Sequence, residues 1–302
     1  MSLPVVILGP TASGKSDVAM AYARACPGAE IVAVDAMQVY RRMDIGTAKP
    51  TAADRAAVAH HCLDLAEPSD DFAVTDFEVA ARVALDGVAA RGGQAVLVGG
   101  TGLYLRSVTD PMEIPGRWPE VRATLEARLA HEGSAALHGE LLALDPVAAG
   151  RMEPSNERRV VRALEVTLGS GRPFSSYGPG LGHYPPIQYR QIGLQWARPA
   201  LTARIAERVQ RMMSAGLLQE VQSLLAEPAP LSRTARQALG YKELIDHLQG
   251  GVSLDEAVHT IVLRTRQFAV RQERWFRRDP RIRWVRIVDD PVAEVLPVLL
   301  HP

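Results

Sequence analysis

Residues 9–16 read Gly9, Pro10, Thr11, Ala12, Ser13, Gly14, Lys15, Ser16, the spacing G-x-x-x-x-G-K-S. Glycines near both ends of such a run let backbone N–H groups turn inward. Lys15 reaches toward the bound anion, and Ser16 opens a helix with a hydroxyl suited to ligating Mg²⁺. The apolar run Val5 to Leu8 before it and a helical pattern after it supply the context that distinguishes a phosphate cradle from a chance match. The chemistry is polyphosphate binding. Whether that phosphate is hydrolysed, transferred or discarded as a leaving group depends on the rest of the chain.

Asp35 ends a second apolar run, "EIVAVD". In a parallel sheet it lies at the carboxyl edge, beside the loop. A carboxylate there holds Mg²⁺ through water, accepts a proton from a nucleophile, or caps the following turn. A third run, "QAVLVGG", ends in Gly99 and Gly100 followed by Thr101. A nucleoside triphosphatase would place an acid there to handle metal or water. Glycines instead admit a close approach, and Thr101 brings a hydroxyl near Asp35 if the two strands are neighbours. The pattern suits a base serving an organic nucleophile better than one activating water.

Between residues 264 and 286 nine arginines stand against Glu273 and Asp279, a local charge of +7 in a chain whose 34 basic and 34 acidic residues cancel. Val258, Ile261, Val262, Phe268, Ala269, Trp275 and Phe276 make the apolar stripe of a helix, and Arg264, Gln267, Arg271, Arg274 and Arg278 follow a different face. With so few acids to pair them, these arginines, Arg271 and Arg274 above all, are expected to meet nucleic-acid phosphates rather than form a salt-bridged solvated face. His60, His61 and Cys62 have no second ligand pair at zinc spacing and read as structural. Trp118, Trp196 and the Met212–Met213 pair read as packing residues.

The elements that must position these groups follow from periodicity. Through residue 100 short buried runs alternate with helical stretches, the first of them with Val18, Ala21, Tyr22 and Ala25 on its apolar face. This predicts an α/β fold with a parallel sheet of the P-loop NTPase kind. From 115 to 186 no β-patterned run appears, and helical segments at 118–133, 134–145 and 156–171 predict a helical insertion. A strand-like run, long helices at 201–216 and 253–278, and a last strand at 282–288 return to the sheet. The expected division is a catalytic core of 1–112 with 187–302 and an insertion of 113–186. The 302 residues are 47% hydrophobic and 23% charged, an ordinary globular balance. Two cysteines at unrelated positions predict a reducing cytosol. The N-terminal apolar run lacks a basic flank and ends at the phosphate loop, so it reads as a strand rather than a signal peptide. No run approaches the roughly 18 apolar residues of a membrane span. A cytosolic monomer is expected, with no membrane partner.

Six motifs occur in order over essentially the whole chain: "GPTASGKS", "DAMQVYRRMDIGTAKP", "HHCLD", "GGTGLYLR", "NERRVVRALEV" and "RQALGYKEL". Together they resemble the bacterial tRNA dimethylallyltransferase (tRNA isopentenyltransferase) family. The resemblance implies a P-loop-type core with a helical insertion. It also implies transfer of a dimethylallyl group from dimethylallyl diphosphate to the exocyclic N6 amine of the adenosine 3′ of the anticodon, with Mg²⁺ and release of diphosphate. The partners would be dimethylallyl diphosphate and a tRNA anticodon stem-loop. The loop would hold the leaving diphosphate, with Lys15 and Arg208 against it, Asp35 as base and Thr101 orienting the site. By the same resemblance RNA contacts fall on Asp35, Ala36, Met37, Gln38, Thr101 and Arg122. Further contacts fall on Arg158, Arg159, Val160, Val161 and Arg162, and on Gln237, Ala238, Leu239, Gly240, Tyr241 and Lys242. The chain departs from the family pattern with Ser16 for a common threonine, Ala36 for a usual serine and Arg42 for a usual glycine. Two other classes share parts of the pattern. A P-loop small-molecule kinase accounts for the loop but not the +7 segment, and a transferase acting on free adenine nucleotides accounts for the loop and Asp35 but not an RNA surface.

Overall fold

The computed structural model describes residues 3–301. Its first half runs β1 (Val5–Leu8), α1 (Lys15–Ala25), β2 (Ala29–Val34), α2 (Ala52–Ala57), β3 (His60–His61), α3 (Val74–Ala90), β4 (Gln94–Gly99), α4 (Gly102–Thr109), α5 (Pro119–Leu144), α6 (Pro146–Ala149) and α7 (Glu157–Ser170). It continues with β5 (Arg190–Trp196), α8 (Arg198–Ser214), α9 (Leu217–Leu225), α10 (Arg233–Arg236), α11 (Tyr241–Leu248), α12 (Leu254–Phe276), β6 (Arg283–Ile287) and α13 (Pro291–Leu300). The chain divides into two compact units, Met1–Thr109 with Pro186–Pro302, and Asp110–Pro185. Among the described residues no helix is long and apolar enough to cross a membrane.

The first unit is built on one six-stranded sheet in the order β3-β2-β4-β1-β5-β6, with every pairing parallel. Strands buried on both faces need apolar side chains along their buried length, and β1 and residues 95–98 of β4 have them. Val6, Leu8, Val32, Val34 and Leu97 face a core completed by Phe77, Tyr104, Leu244 and Ile261. Val5, Ile7, Ile31, Val96 and Val98 face the opposite core, with Val18, Tyr22, Ile205 and Leu299. On α1 the buried residues are Val18, Ala19, Tyr22 and Ala23. The stripe is thus rotated from the expected one, Ala19 and Ala23 replacing Ala21 and Ala25. The short β3 went unforeseen. His60 and His61 pair in register with Ile31 and Val32, and their rings bond the Val58 carbonyl at 2.8 Å and Glu30 at 2.6 Å.

Because all strands point the same way, the ends of β1, β2 and β4 meet at one edge. Gly99 has a specific reason to be there: a Cβ on it would lie 2.0 Å from the Val34 carbonyl oxygen. That close approach draws the end of β4 against the end of β2, and with them Thr101 and Asp35. Helix α12 begins with a reciprocal cap between Ser253 and Glu256. Its buried stripe is Ala257, Ile261, Thr265, Ala269, Gln272 and Phe276, so it includes two polar residues that an apolar-pattern reading passes over.

The second unit is helical. Its longest helix breaks at Gly133, whose φ of 78° is non-helical, so the sequence reading of two segments meeting there describes the backbone well. Asn156 caps α7 through Arg159 N, and Gly171 ends it in the left-handed conformation. The core of this unit is Leu125, Leu137, Leu141, Val160, Val161 and Leu164.

Candidate active site

The loop between β1 and α1 is held from outside. Trp196 Nε1 donates to the Ser13 carbonyl at 3.0 Å, and Arg204 Nε donates to the Ala12 carbonyl at 2.9 Å. The Arg204 guanidinium lies 4.4 Å from the centroid of the Trp196 ring, so the two act together. A trans peptide points its N–H opposite to its carbonyl. Anchoring the Ser13 carbonyl therefore aims the Gly14 N–H the other way, alongside the unpaired N–H groups that begin α1. Gly14 has a φ of 85° and would place a Cβ 2.5 Å from Pro291 Cγ, so both conformation and space demand glycine. Ala12 sits at a φ of 62°, a cost borne by the loop geometry.

Two cations face this cradle. Burial, then the neighbouring charge of Arg208, pulls the Lys15 ammonium from its ordinary 10.5 down to about 8, against the opposing pull of Asp35 and Asp17. Arg208 is shifted down as well, mainly by burial, with Asp35 opposing. Among the described residues Arg208 has no carboxylate within ion-pair distance. Two like charges brought together with no carboxylate ion-paired to either among the described residues mark a place where an anion would be held. A diphosphate arriving there restores the ammonium of Lys15, so binding takes up a proton at any pH between about 8 and 10.5. Affinity for inorganic diphosphate should fall up to about tenfold per pH unit across that window. Calorimetry in buffers of different ionisation enthalpy at pH 9 should register uptake of close to one proton, and none with Lys15→Ala. The empty fold has the opposite sign: its folded-state pKa lies below the unfolded value, so its stability rises as pH climbs from about 8 to 10.5.

Asp35 closes the facing side. Its Oδ1 accepts from Met37 N at 2.9 Å, which is the capping role. Oδ2 has no hydrogen-bond partner among the described residues. Thr101 Oγ1 accepts from Ala36 N at 3.3 Å and so holds the turn that presents Asp35. The loop, Asp35, Gln38, Arg208 and Gln272 line a cleft of about 680 Å³. A second chamber of about 990 Å³ shares Ala48, Lys49, Pro50, Arg208 and Arg211 with it.

The segment after Asp35 is pinned from beneath. The Glu220 carboxylate accepts from the amides of Asp44 at 2.9 Å, Ile45 at 2.7 Å and Gly46 at 3.1 Å. It also accepts from the Tyr241 hydroxyl at 2.5 Å. Lys49, buried, joins Asp44 at 2.8 Å and Asp64 at 2.6 Å. Arg42 has a φ of 60°, which explains why glycine suits that position; here the arginine is retained with an ion pair to Glu67 at 2.7 Å.

Several expected RNA contacts are corrected by where the side chains go. Val160, Val161, Ala238 and Tyr241 are buried, because a helical run presents only part of its circumference to solvent. Gly240 is buried with them. Arg122 and Arg162 both turn onto the buried Glu165, at 3.1 and 2.8 Å, and Arg162 also donates to the carbonyls of Pro115 and Gly116. Arg158, Arg159 and Gln237 remain exposed, with Leu239 and Lys242 half-buried. On α12, Arg264 pairs with Glu243 at 2.7 Å. Beyond its end Arg277 pairs with Glu273 and Arg281 with Asp279. Arg266, Arg271, Arg274 and Arg278 are exposed and have no carboxylate within ion-pair distance among the described residues.

Sequence reasoning missed Trp196, Arg204 and Gln272. Trp196 reads as packing in the sequence, because its indole N–H gives no signal in a one-dimensional pattern. Arg204 lies one helical turn before Arg208, at i−4 on the same face of α8. Gln272 is a polar residue on an apolar stripe, and that is a legible sign of a buried hydrogen-bonding role.

Comparison with known proteins agrees with this geometry. Residues 38–279 match the family model described as IPP transferase, and residues 3–68 match one described as isopentenyl transferase. The chain is 47% identical to a tRNA dimethylallyltransferase of Kineococcus radiotolerans, covering 97% of this chain and 96% of that protein. It resembles the crystal structure of the full-length tRNA isopentenylpyrophosphate transferase of Bacillus halodurans, with a TM-score of 0.70 and 36% identity over 99% of this chain and 96% of the other. The corresponding enzyme of Staphylococcus epidermidis gives a TM-score of 0.71 and 31% identity over 99% and 98%.

Proposed function

The chain belongs to the IPP transferase family, and from that premise we infer that it transfers a dimethylallyl group from dimethylallyl diphosphate to the exocyclic N6 amine of the adenosine 3′ of a tRNA anticodon, releasing diphosphate. The observation that carries this reading is the pair of cations, Lys15 and Arg208, lining the same cleft as the phosphate loop and as a carboxylate oxygen of Asp35 that has no hydrogen-bond partner among the described residues. Breaking the allylic C–O bond builds negative charge on the departing diphosphate and positive charge on carbon. The cradle's N–H groups, Lys15 and Arg208 stabilise the former, and they keep holding the product after the bond breaks. Adenine's amine is a poor nucleophile because its lone pair is delocalised into the ring. It must lose a proton during or after N–C bond formation, and Asp35 Oδ2 is the acceptor. Thr101 acts on Asp35 through the Ala36 amide, fixing the turn rather than touching the proton. The acceptor base must leave its stack to reach this depth.

Among the described residues no group of three acidic, histidine or cysteine side chains is gathered for a metal. That suits Mg²⁺ carried mainly by substrate diphosphate oxygens and water, with Ser16 at the start of α1 supplying the protein oxygen. Bound there, Mg²⁺ would neutralise charge on the leaving diphosphate. Free thiols at Cys26 and Cys62 support a cytosolic setting, and we take the enzyme to act as a monomer.

Incubation with labelled dimethylallyl diphosphate and either bulk tRNA or AMP tests the assignment. Label on tRNA alone is expected; label on AMP, or ATP turnover with neither acceptor labelled, would replace this reading. The RNA surface has its own test. Replacing Arg271 and Arg274 together by glutamine should weaken tRNA binding and lower the slope of log affinity against log salt by about 0.7 for each phosphate no longer neutralised. Affinity for dimethylallyl diphosphate should stay within about twofold, since that ligand belongs to the loop. An unchanged salt slope would return this face of α12 to ordinary solvation.

A further inference from the structure

We propose that Gln272 is a positioning residue for prenyl transfer, a clasp that sets the spacing between the phosphate loop and the Thr101 loop. This rests on the function proposed above. Gln272 is 7% exposed and lies on the buried stripe of α12. Its Oε1 accepts from Thr11 N at 2.8 Å, and its Nε2 donates to the Gly100 carbonyl at 2.8 Å. One side-chain amide therefore ties the segment that holds the leaving group to the segment that precedes Thr101. At neutral pH the amide suits both ends where a carboxylate or an apolar side chain does not, because one partner is a donor and the other an acceptor. The packing around it leaves no slack. A Cβ on Gly100 would lie 2.3 Å from Gln272 Nε2, and one on Gly102 would lie 2.0 Å from Trp275 Nε1, one turn further along the same helix. The exposed arginines Arg271 and Arg274 flank Gln272 in the same turns of α12, so the helix offered to RNA is the helix that holds the two loops in register.

The reacting partners approach from these two sides, the donor carbon from the cradle and the acceptor amine from Asp35 beside Thr101. A clasp between the sides acts on the distance between reactants, not on the affinity for either one. The test uses Gln272→Met, of similar length and without hydrogen bonds, and Gln272→Glu, which keeps the acceptor for Thr11 N but sets a carboxylate against the Gly100 carbonyl. Single-turnover transfer to tRNA, with both substrates saturating and well below the melting temperature, should fall roughly 10²-fold in Gln272→Met, the scale of a misplacement of about 1 Å. Dissociation constants for dimethylallyl diphosphate and tRNA should each stay within about threefold. Gln272→Glu should recover relative to wild type as pH falls, because a protonated carboxyl regains the donor that Gly100 requires. If Gln272→Met does not fold, this pH-dependent recovery alone decides. Transfer at the wild-type rate by folded Gln272→Met overturns the proposal, and so does a loss that appears wholly as weakened diphosphate binding or is equal in Gln272→Glu at every pH. A wild-type protein that labels no tRNA would instead overturn the function, a separate result.

Discussion

Lys15→Ala lowers transfer to tRNA by about 10²-fold or more, with the loss in the chemical step. In the proposed reaction the lysine is aimed at the charge that appears as the C–O bond breaks, and a preorganised cation makes that charge worth more there than in water. Single-turnover measurement with labelled dimethylallyl diphosphate separates this from binding. Lys15→Arg should not rescue, since the planar guanidinium cannot take the place of a compact ammonium under the loop. A second readout follows from the physical cost of the residue. In the empty protein the Lys15 amine is held down to about 8 by burial and by Arg208, so below that pH its charge destabilises the fold. The Lys15→Ala protein should therefore melt at or above the wild-type temperature at pH 7 while being the less active of the two. Robust transfer by the folded variant would remove Lys15 from the chemistry.

The fold was legible in the sequence wherever burial on both faces forces a continuous apolar run. Val5 to Leu8 and Ala95 to Val98 read as buried strands, and the glycines ending the third run announced a close approach, which Gly99 at the end of β4 makes to Val34. β3 was not legible, because two histidines at a sheet edge carry no apolar signal, and the bond from the His61 ring to Glu30 exists only once the strands are paired. The phase of α1 was misjudged for a similar reason. Alanine is small enough to lie on either side of a helix, so Ala19 and Ala21 are told apart only by what packs against them.

The candidate site divides along the same line. Of the side chains proposed to act on a ligand, Lys15 and Asp35 announce themselves by charge at a helix start and a strand end, whereas Arg208, inside α8, is pointed to only by the family resemblance. Side chains that act on the backbone of the loop do not announce themselves. Trp196, Arg204 and Gln272 come from residues far along the chain and meet Ser13, Ala12 and Thr11 only once the sheet has formed. Ion pairing is likewise invisible before folding. Arg122 and Arg162 look available for RNA in the sequence, yet the buried Glu165 between them claims both.

Asp35→Asn separates catalysis from binding and should shift the two in opposite directions. The asparagine oxygen can keep the bond from Met37 N that Asp35 Oδ1 now accepts, so the turn that carries it survives. What disappears is the proton acceptor and a negative charge. Loss of a general base costs about 10²- to 10⁴-fold in rate, and the single-turnover rate should fall by that much. Asp35 also supports the charged forms of Lys15 and Arg208 in the empty site. Without it the two cations lack that compensation, and an arriving diphosphate relieves a larger repulsion. Affinity for dimethylallyl diphosphate should then equal or exceed that of wild type. The proton uptake on binding should also begin below its wild-type onset near pH 8, because the Lys15 amine is held down further. Binding of tRNA should change little. Calorimetry with diphosphate across pH and single-turnover transfer on the same preparation supply both halves of the test. Normal chemistry with lost tRNA binding would make Asp35 an RNA contact and leave the base to be sought elsewhere. Weakened diphosphate binding would show that the carboxylate works through the cation pair and not against the leaving group's charge.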